Sequence, residues 1–461
     1  MSENQNEIEK LRNFKQKLDH VSPSFCLAKW LQLTLHLQNG QTHSCHHPVT
    51  HTVPLDELKK NPSALHNTAF KKKQRSKMLA GQRPEECHYC WRVEDAPGSP
   101  LSDRTLKSVQ NWAAPYLQTV ALSPADIDIN PKYLEISFGH ECQFKCSYCA
   151  PHISSAIMKE FKKYGRYPTG DDGYDLDWLE EEDLLPLPEE NNPYVVAFWQ
   201  WWPELYPELE VFRITGGEPL INQNTFRVLE YILTNPHPKL QLAINSNLGV
   251  PQVRLEQFVT QVSPILKNQC VKDFILFTSV DGFGKQAEYI RNGMSFNQFI
   301  NNINFLFANI RDLKITIMTT FNALSLPSYK QFLQFFLKMR SLYGKTSKGE
   351  EKLILDISYL HFPSYQSVQI LPKSWAPKLQ ELSTFMSENL FLPQEIERMK
   401  RIESMFLVEV EQSWLKQSRQ RFVAFFREHD RRRGTDFMEA FPEFQDLFLH
   451  WENHAYSDIQ I

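Results

Sequence analysis

Short apolar runs alternate with longer amphipathic stretches along most of this chain. Six runs have the length of a strand: Tyr133 to Phe138, Leu209 to Ile214, Leu240 to Ile244, Phe274 to Thr278, Leu313 to Met318 and Leu353 to Ile357. A helix-length segment separates each from the next, and repeated strand–helix units predict a parallel sheet. Every run stops at a polar or glycine-bearing turn. Five of these turns are Thr215-Gly216-Gly217-Glu218-Pro219, Asn245-Ser246-Asn247-Leu248-Gly249, Ser279-Val280-Asp281-Gly282, Thr319-Thr320-Phe321-Asn322 and Ser358-Tyr359-Leu360-His361; the first run leads into a cysteine-bearing loop. Where such units form a (β/α) barrel, the chemistry sits at the C-terminal ends of the strands, so the turns predict one polar mouth.

Other patterns flank this unit. Ile8, Leu11, Phe14 and Leu18 recur at helical spacing in residues 1–22, which predicts an amphipathic helix packed on the protein. Leu31, Leu33, Leu35 and Leu37 alternate with polar residues, and Asn39-Gly40 follows, which predicts a strand and a hairpin turn. A helix is expected over Ala69 to Ala80, with Gly81 just past its end. Residues 106–130, with Pro115 and Pro124, read as a linker. Ten Asp or Glu fall within residues 171–190 and predict a solvated loop. Residues 371–461 read as helical, with the basic run Arg427 to Arg433 expected as a solvated helix end with internal ion pairs, or else as an anion site. The division is therefore 1–22, 23–105, 106–130, 131–370 and 371–461.

Composition narrows the class. With 461 residues, 32 Phe, 16 Tyr and 10 Trp, the chain can bury several cores. A net charge of −4 leaves no clear nucleic-acid footprint. No apolar run reaches the length of a membrane span, and Met1 to Gln5 show no secretory pattern. Eight cysteines in such a chain point to metal or redox chemistry rather than to a disulfide framework.

The cysteines fall into two groups and one isolate. Cys142, Cys146 and Cys149 form a C-x3-C-x2-C run, with Tyr148 before the last. Three thiolates can hold three irons of a cubane and leave the fourth open to a small chelating molecule. Structural zinc wants four closed ligands, and only His140 lies nearby, outside the usual spacing. Cys26 and Cys45 frame Gly40 as C-x13-G-x4-C, and Cys87 and Cys90 follow. Four thiolates suit either a fully ligated [4Fe-4S] cluster or a tetrahedral zinc. His43, His46, His47 and His88 read as neighbours of that group rather than as ligands. Cys270 stands alone and reads as a small buried apolar residue.

Taken together, the C-x3-C-x2-C run, the Gly216-Gly217-Glu218 turn and the six strand–helix units resemble the radical S-adenosylmethionine (SAM) superfamily over about residues 24–365. The resemblance implies an open (β/α)6 partial TIM barrel, with Cys142, Cys146 and Cys149 as catalytic ligands of a SAM-binding [4Fe-4S] cluster. It gives Tyr148, Gly216, Gly217, Glu218, Ser246, Asn247, Ser279 and Arg291 to the binding of SAM, Arg291 as a partner for its carboxylate. The residue-level alternative for Arg291 is a surface ion pair with Glu288; Asp281 reads as a substrate contact or as a turn former. The first half of the N-terminal group resembles the opening of a twitch domain, a truncated SPASM domain. That implies an auxiliary [4Fe-4S] cluster on Cys26, Cys45, Cys87 and Cys90, placed before the barrel where many relatives have it after. The expected activity is reductive cleavage of SAM and hydrogen abstraction from a peptide or small-molecule substrate. A low-potential electron donor such as flavodoxin or ferredoxin and a reducing cytoplasm are implied. The alternative is a non-catalytic scaffold with zinc in the N-terminal group and a nucleotide-binding barrel.

Overall fold

In a computed structural model of the chain, residues 3–98, 100–170, 175–188 and 190–456 are described. Asp171, Asp172 and Glu189 of the acidic run lie outside the described residues.

The strands are β1 (Gln32–His36), β2 (Gln41–His43), β3 (His51–Thr52), β4 (Tyr133–Ser137), β5 (Lys145–Cys146), β6 (Val211–Thr215), β7 (His237–Asn245), β8 (Val271–Ser279), β9 (Arg291–Asn292), β10 (Lys314–Phe321) and β11 (Leu353–Tyr359). Nine of them form one sheet in the order β11-β10-β8-β7-β6-β4-β1-β2-β3. Pairing is parallel from β11 through β1, and β2 and β3 add on antiparallel. The chain is a mixed α/β protein with the layout of an open partial barrel.

Each of the six expected runs is a strand, and they stand side by side in chain order. The alternation along them sorts the two faces. Leu134 and Ile136, Phe212 and Ile214, Leu242 and Ile244, and Ile315 and Ile317 are buried in the core shared with the helices. Each such side chain contributes about 1.5–3 kcal/mol of transfer free energy. The intervening Glu135, Arg213, Asn245, Phe277 and Met318 are only half-buried and form the opposite, concave face.

One strand was not expected in this sheet. β1 comes from the N-terminal cysteine region and pairs in parallel with β4, Thr34 opposite Glu135 and His36 opposite Ser137. With neighbours on both sides, its polar Gln32 and Thr34 are buried along with Leu33 and Leu35. The Asn39-Gly40 turn forms as expected, with Gly40 at φ +71°. A Cβ on Gly40 would lie 2.0 Å from the Tyr194 ring, so glycine is required there on two counts.

A second core joins Leu18, Phe25, Trp30, Met78 and Trp91 to three of the N-terminal cysteines. The first helix, Glu3–Val21, reaches it through Leu18. The helix Ala69–Leu79 starts at Thr68, whose Oγ accepts from the Lys71 amide. It closes with Gly81 N–H donating to Met78 and Gln82 N–H to Lys77, a paired C-terminal cap. Residues 106–130 are more ordered than a linker: Leu117–Leu122 is helical, and Trp112, Ala113 and Val120 are buried in this core.

At the other edge of the sheet, helix side chains stand in for a missing strand. Glu395 accepts from the Leu355 amide at 2.7 Å, and Arg340 Nε donates to the Leu353 carbonyl at 3.0 Å. The two residues also pair with each other in the interior. No described helix is long and apolar enough to cross a membrane.

Candidate functional site: two cysteine centres

The loop after β4 carries Cys142, Cys146 and Cys149, and bonds from several elements fix its backbone. Ser155 N–H donates to the His140 carbonyl at 2.8 Å, and Cys142 N–H donates to Ser155 Oγ at 3.1 Å. Ser154 caps the helix Ser155–Tyr164, and its hydroxyl also donates to the Phe144 carbonyl at 2.8 Å. β5 pairs with β9, which sets Cys146 opposite Arg291. Ser147 N–H donates to the Ile290 carbonyl, and its hydroxyl donates to Gln366 Oε1, each at 2.8 Å.

Glycines make room for this loop. A Cβ on Gly216 would lie 2.5 Å from Ser137 Oγ, and one on Gly217 would lie 2.3 Å from the Glu141 carbonyl. A Cβ on Gly249 would lie 2.3 Å from the Phe144 ring. The sequence suggests that Gly216 and Gly217 admit a ligand; in the structure their close approach is to the cysteine loop itself.

Burial pushes the thiol of Cys142 up to about 12, and the neighbouring Cys146 adds to the shift. Cys149 is raised in the same way, by burial and then by Cys146 and Cys142. Cys146 and Cys149 line one cavity. Thiolates so placed repel each other and gain from a cationic centre between them, which fits an iron–sulfur cluster. Among the described residues no group of three or more His, Cys, Asp or Glu is drawn together tightly enough to hold a single metal ion.

Around the loop stand the residues expected at the strand ends. Glu218 is 2% exposed, and its carboxylate accepts from Leu220 N–H at 3.0 Å and Asn247 N–H at 2.6 Å. Burial pushes its carboxyl up to about 7, against the bonds from Ser246, Asn247 and Leu220. Ser246 Oγ accepts from Leu248 N–H at 3.0 Å, and Ser279 is half-buried at the end of β8. Tyr148 OH donates to Asp281 at 2.7 Å. Arg291 is buried and meets Asp281 through two nitrogens, at 2.8 and 3.2 Å. It makes no ion pair with Glu288, whose carboxylate accepts instead from Phe296 N–H at 2.7 Å. Asp281 is fully buried and also accepts from Thr320 N–H.

Reading the strands as apolar runs hid the concave face. Arg213 Nε donates to Asn245 Oδ1 at 3.1 Å, its guanidinium lies 4.4 Å from the Phe277 ring centre, and Glu135 is 3.9 Å away. The signal was available as Glu135 and Ser137 alternating with apolar residues in β4, and Arg213 and Thr215 in β6.

The basic run near the C-terminus makes the internal pairs expected, Glu428 with Arg431 and Arg432, but is only in part a solvated helix end. Within the run, in the helix Gln412–Arg433, Arg427 and Arg431 pair at the surface, with Glu452 and Glu428. Arg433 is buried: it pairs with Glu160 at 3.0 Å and donates to the Lys145 carbonyl, inside the cysteine loop, at 2.6 Å. Arg432 donates to the Gly165 and Arg166 carbonyls, each at 2.9 Å. The run turns inward because loop carbonyls and Glu160 supply acceptors that solvent would otherwise supply.

Cys26, Cys45, Cys87 and Cys90 line one cavity together with Lys29, Trp91 and Arg104. Burial raises all four thiols, Cys45 and Cys90 to about 12 and Cys87 to about 11. Lys29 is buried beside them and pairs with Glu86. His47 also lines this cavity, with its Nε2 facing Asp103 at 2.8 Å and its ring stacked on Tyr89 at 3.6 Å. His43 Nδ1 faces the carbonyl of Cys45, not its sulfur. Four sulfurs are the donor type of either a cluster or zinc, and as they stand they are not drawn together tightly enough for a single metal ion. Cys270 is buried and remote from both groups in sequence, as expected of an apolar filler.

No protein-family model matches this chain, and no curated protein matches it. Among solved structures it is similar to Streptococcus suis SuiB bound to S-adenosylmethionine, with 12% identity over 78% of this chain and 69% of that one, at a TM-score of 0.35. SuiB bound to the precursor peptide SuiA gives 10% identity over 79% and 70%, at a TM-score of 0.34. A likeness this weak says nothing of activity.

Proposed function

We propose that this chain is a radical SAM enzyme that abstracts hydrogen from a peptide or small-metabolite substrate. The observation that supports this reading best is the seat of the cysteine loop. Its three thiols lie at the C-terminal end of β4, where Glu218 N–H donates to the Glu141 carbonyl at 2.7 Å and ties the loop to the Gly216-Gly217-Glu218 turn. Cys142, Cys146 and Cys149 would hold the [4Fe-4S] cluster. When bound, the cluster supplies one electron to the sulfonium of SAM, which yields methionine and a 5′-deoxyadenosyl radical.

The chain's own residues orient and enclose. Glu218 pins the backbone of Asn247 and so aligns the turns after β6 and β7. The Gly216–Glu218 turn, Ser246, Ser279 and Tyr148 border the place assigned to SAM. Arg213, Glu135 and Asn245 offer donors and acceptors to a substrate in the concave face. Cys26, Cys45, Cys87 and Cys90 would hold an auxiliary [4Fe-4S] cluster that accepts an electron from the substrate radical.

The test is anaerobic reconstitution with iron and sulfide, reduction, and addition of SAM without other substrate. 5′-Deoxyadenosine is then measured by mass spectrometry. It should form with the wild type and not with Cys142→Ala/Cys146→Ala/Cys149→Ala. Its absence from an iron-loaded wild type would sink the reading.

A further inference from the structure

Asn247 and Arg291, both assigned to SAM by resemblance, turn their polar groups to the cysteine loop. Arg291 Nε donates to Asp281, Nη2 donates to Asp281 and to Tyr148 OH at 2.6 Å, and Nη1 donates to Cys146 Sγ at 3.8 Å. Asn247 Oδ1 accepts from Gln143 Nε2 at 3.0 Å and from Gly249 N–H at 2.8 Å, while Nδ2 donates to Cys142 Sγ at 3.7 Å.

Little capacity is left for a further ligand. Every nitrogen of Arg291 is engaged, and its fork is rigid. To turn it toward the carboxylate of SAM would take from the buried Asp281 its only cationic partner described, which is unfavourable. The β5–β9 pairing sets Arg291 directly opposite Cys146, so donor and sulfur are held in register by backbone.

We propose that Asn247 and Arg291 are positioning residues that donate to the cluster-ligating sulfurs, and that they raise the reduction potential of the cluster instead of binding SAM. The proposal rests on the radical SAM reading. An N–H donor to a thiolate ligand draws charge from the sulfur and favours the more negative, reduced state. A cationic donor does so more strongly than an amide.

Wild type, Asn247→Ala, Arg291→Lys and the charge-balanced Arg291→Met/Asp281→Asn would be reconstituted anaerobically. Three quantities are read: iron content, the midpoint potential by EPR-monitored titration, and SAM affinity from the change in the EPR signal. The midpoint should fall in Asn247→Ala, fall further in the double variant and recover in part with Arg291→Lys. SAM affinity should stay within about twofold of wild type. Unshifted potentials, or a loss of SAM affinity of about tenfold or more, would overturn the proposal and return these residues to SAM. If the double variant does not fold, Asn247→Ala decides alone, since an unchanged midpoint there overturns it. A wild type that takes up no iron at Cys142, Cys146 and Cys149 would overturn the underlying reading as well, an outcome distinct from iron-loaded protein with unmoved potential.

Discussion

The amide of Gly217 donates to the carbonyl of Gly139 at 3.3 Å, one residue before Glu218 does the same to Glu141. The glycine turn after β6 and the cysteine loop after β4 are therefore one backbone unit. Gly217→Ala would set a methyl 2.3 Å from the Glu141 carbonyl, an obstacle that no side-chain rotation relieves. The loop must shift. Iron content at the Cys142 centre and deoxyadenosine yield should both drop sharply, while circular dichroism stays near that of the wild type.

Glu160 reports on the strap formed by Arg433. Burial raises its carboxyl, but bonds from Arg433, Tyr167 and Lys145 outweigh that and hold it down to about 2. A carboxyl held below its unfolded value stabilises the fold above that unfolded value, and the contribution is lost as pH falls toward the folded one. Glu160→Gln should therefore unfold more easily than wild type at pH 7, by about 3 kcal/mol. The gap should close between about pH 4.5 and 2. Urea midpoints across that range check it.

The two cysteine groups should load independently. Cys26→Ala/Cys45→Ala/Cys87→Ala/Cys90→Ala should lose about half of the iron and still make deoxyadenosine from SAM alone. The variant lacking Cys142, Cys146 and Cys149 should keep the other half and make none. Zinc in place of iron at the N-terminal group would remove the auxiliary cluster from the reading. Metal analysis of both variants separates these outcomes.

Arg213 should matter to substrate and not to SAM. Arg213→Met keeps the bulk over Phe277 but removes the donors that face Asn245. With substrate present, product should fall by about tenfold or more while deoxyadenosine persists, an uncoupling seen by quantifying both in one reaction.

Local chemistry carried most of what the sequence disclosed. The six strand runs and the helix expected over Ala69 to Ala80 depend on near neighbours, and all were legible. The place of β1 beside β4 was not, because strand order depends on contacts about a hundred residues apart in sequence. At the site, the cysteines and the glycine turn were legible from spacing. What Gly216 and Gly217 approach, and where Asn247 and Arg291 point, depends on how separate loops meet. The run Arg427 to Arg433 misled for a related reason: a charge looks solvated until a distant carboxylate such as Glu160 is known to await it.

The arrangement at β11 bears on what this protein cannot do. A partial barrel ends in a strand whose free amides could recruit an extended peptide or a second copy as the next strand. Here Glu395 already takes the Leu355 amide and Arg340 the Leu353 carbonyl. Both partners are locked in a buried ion pair. Growth of the sheet is blocked at that position, and an extended peptide would have to reach the concave face by a route other than lengthening the sheet there.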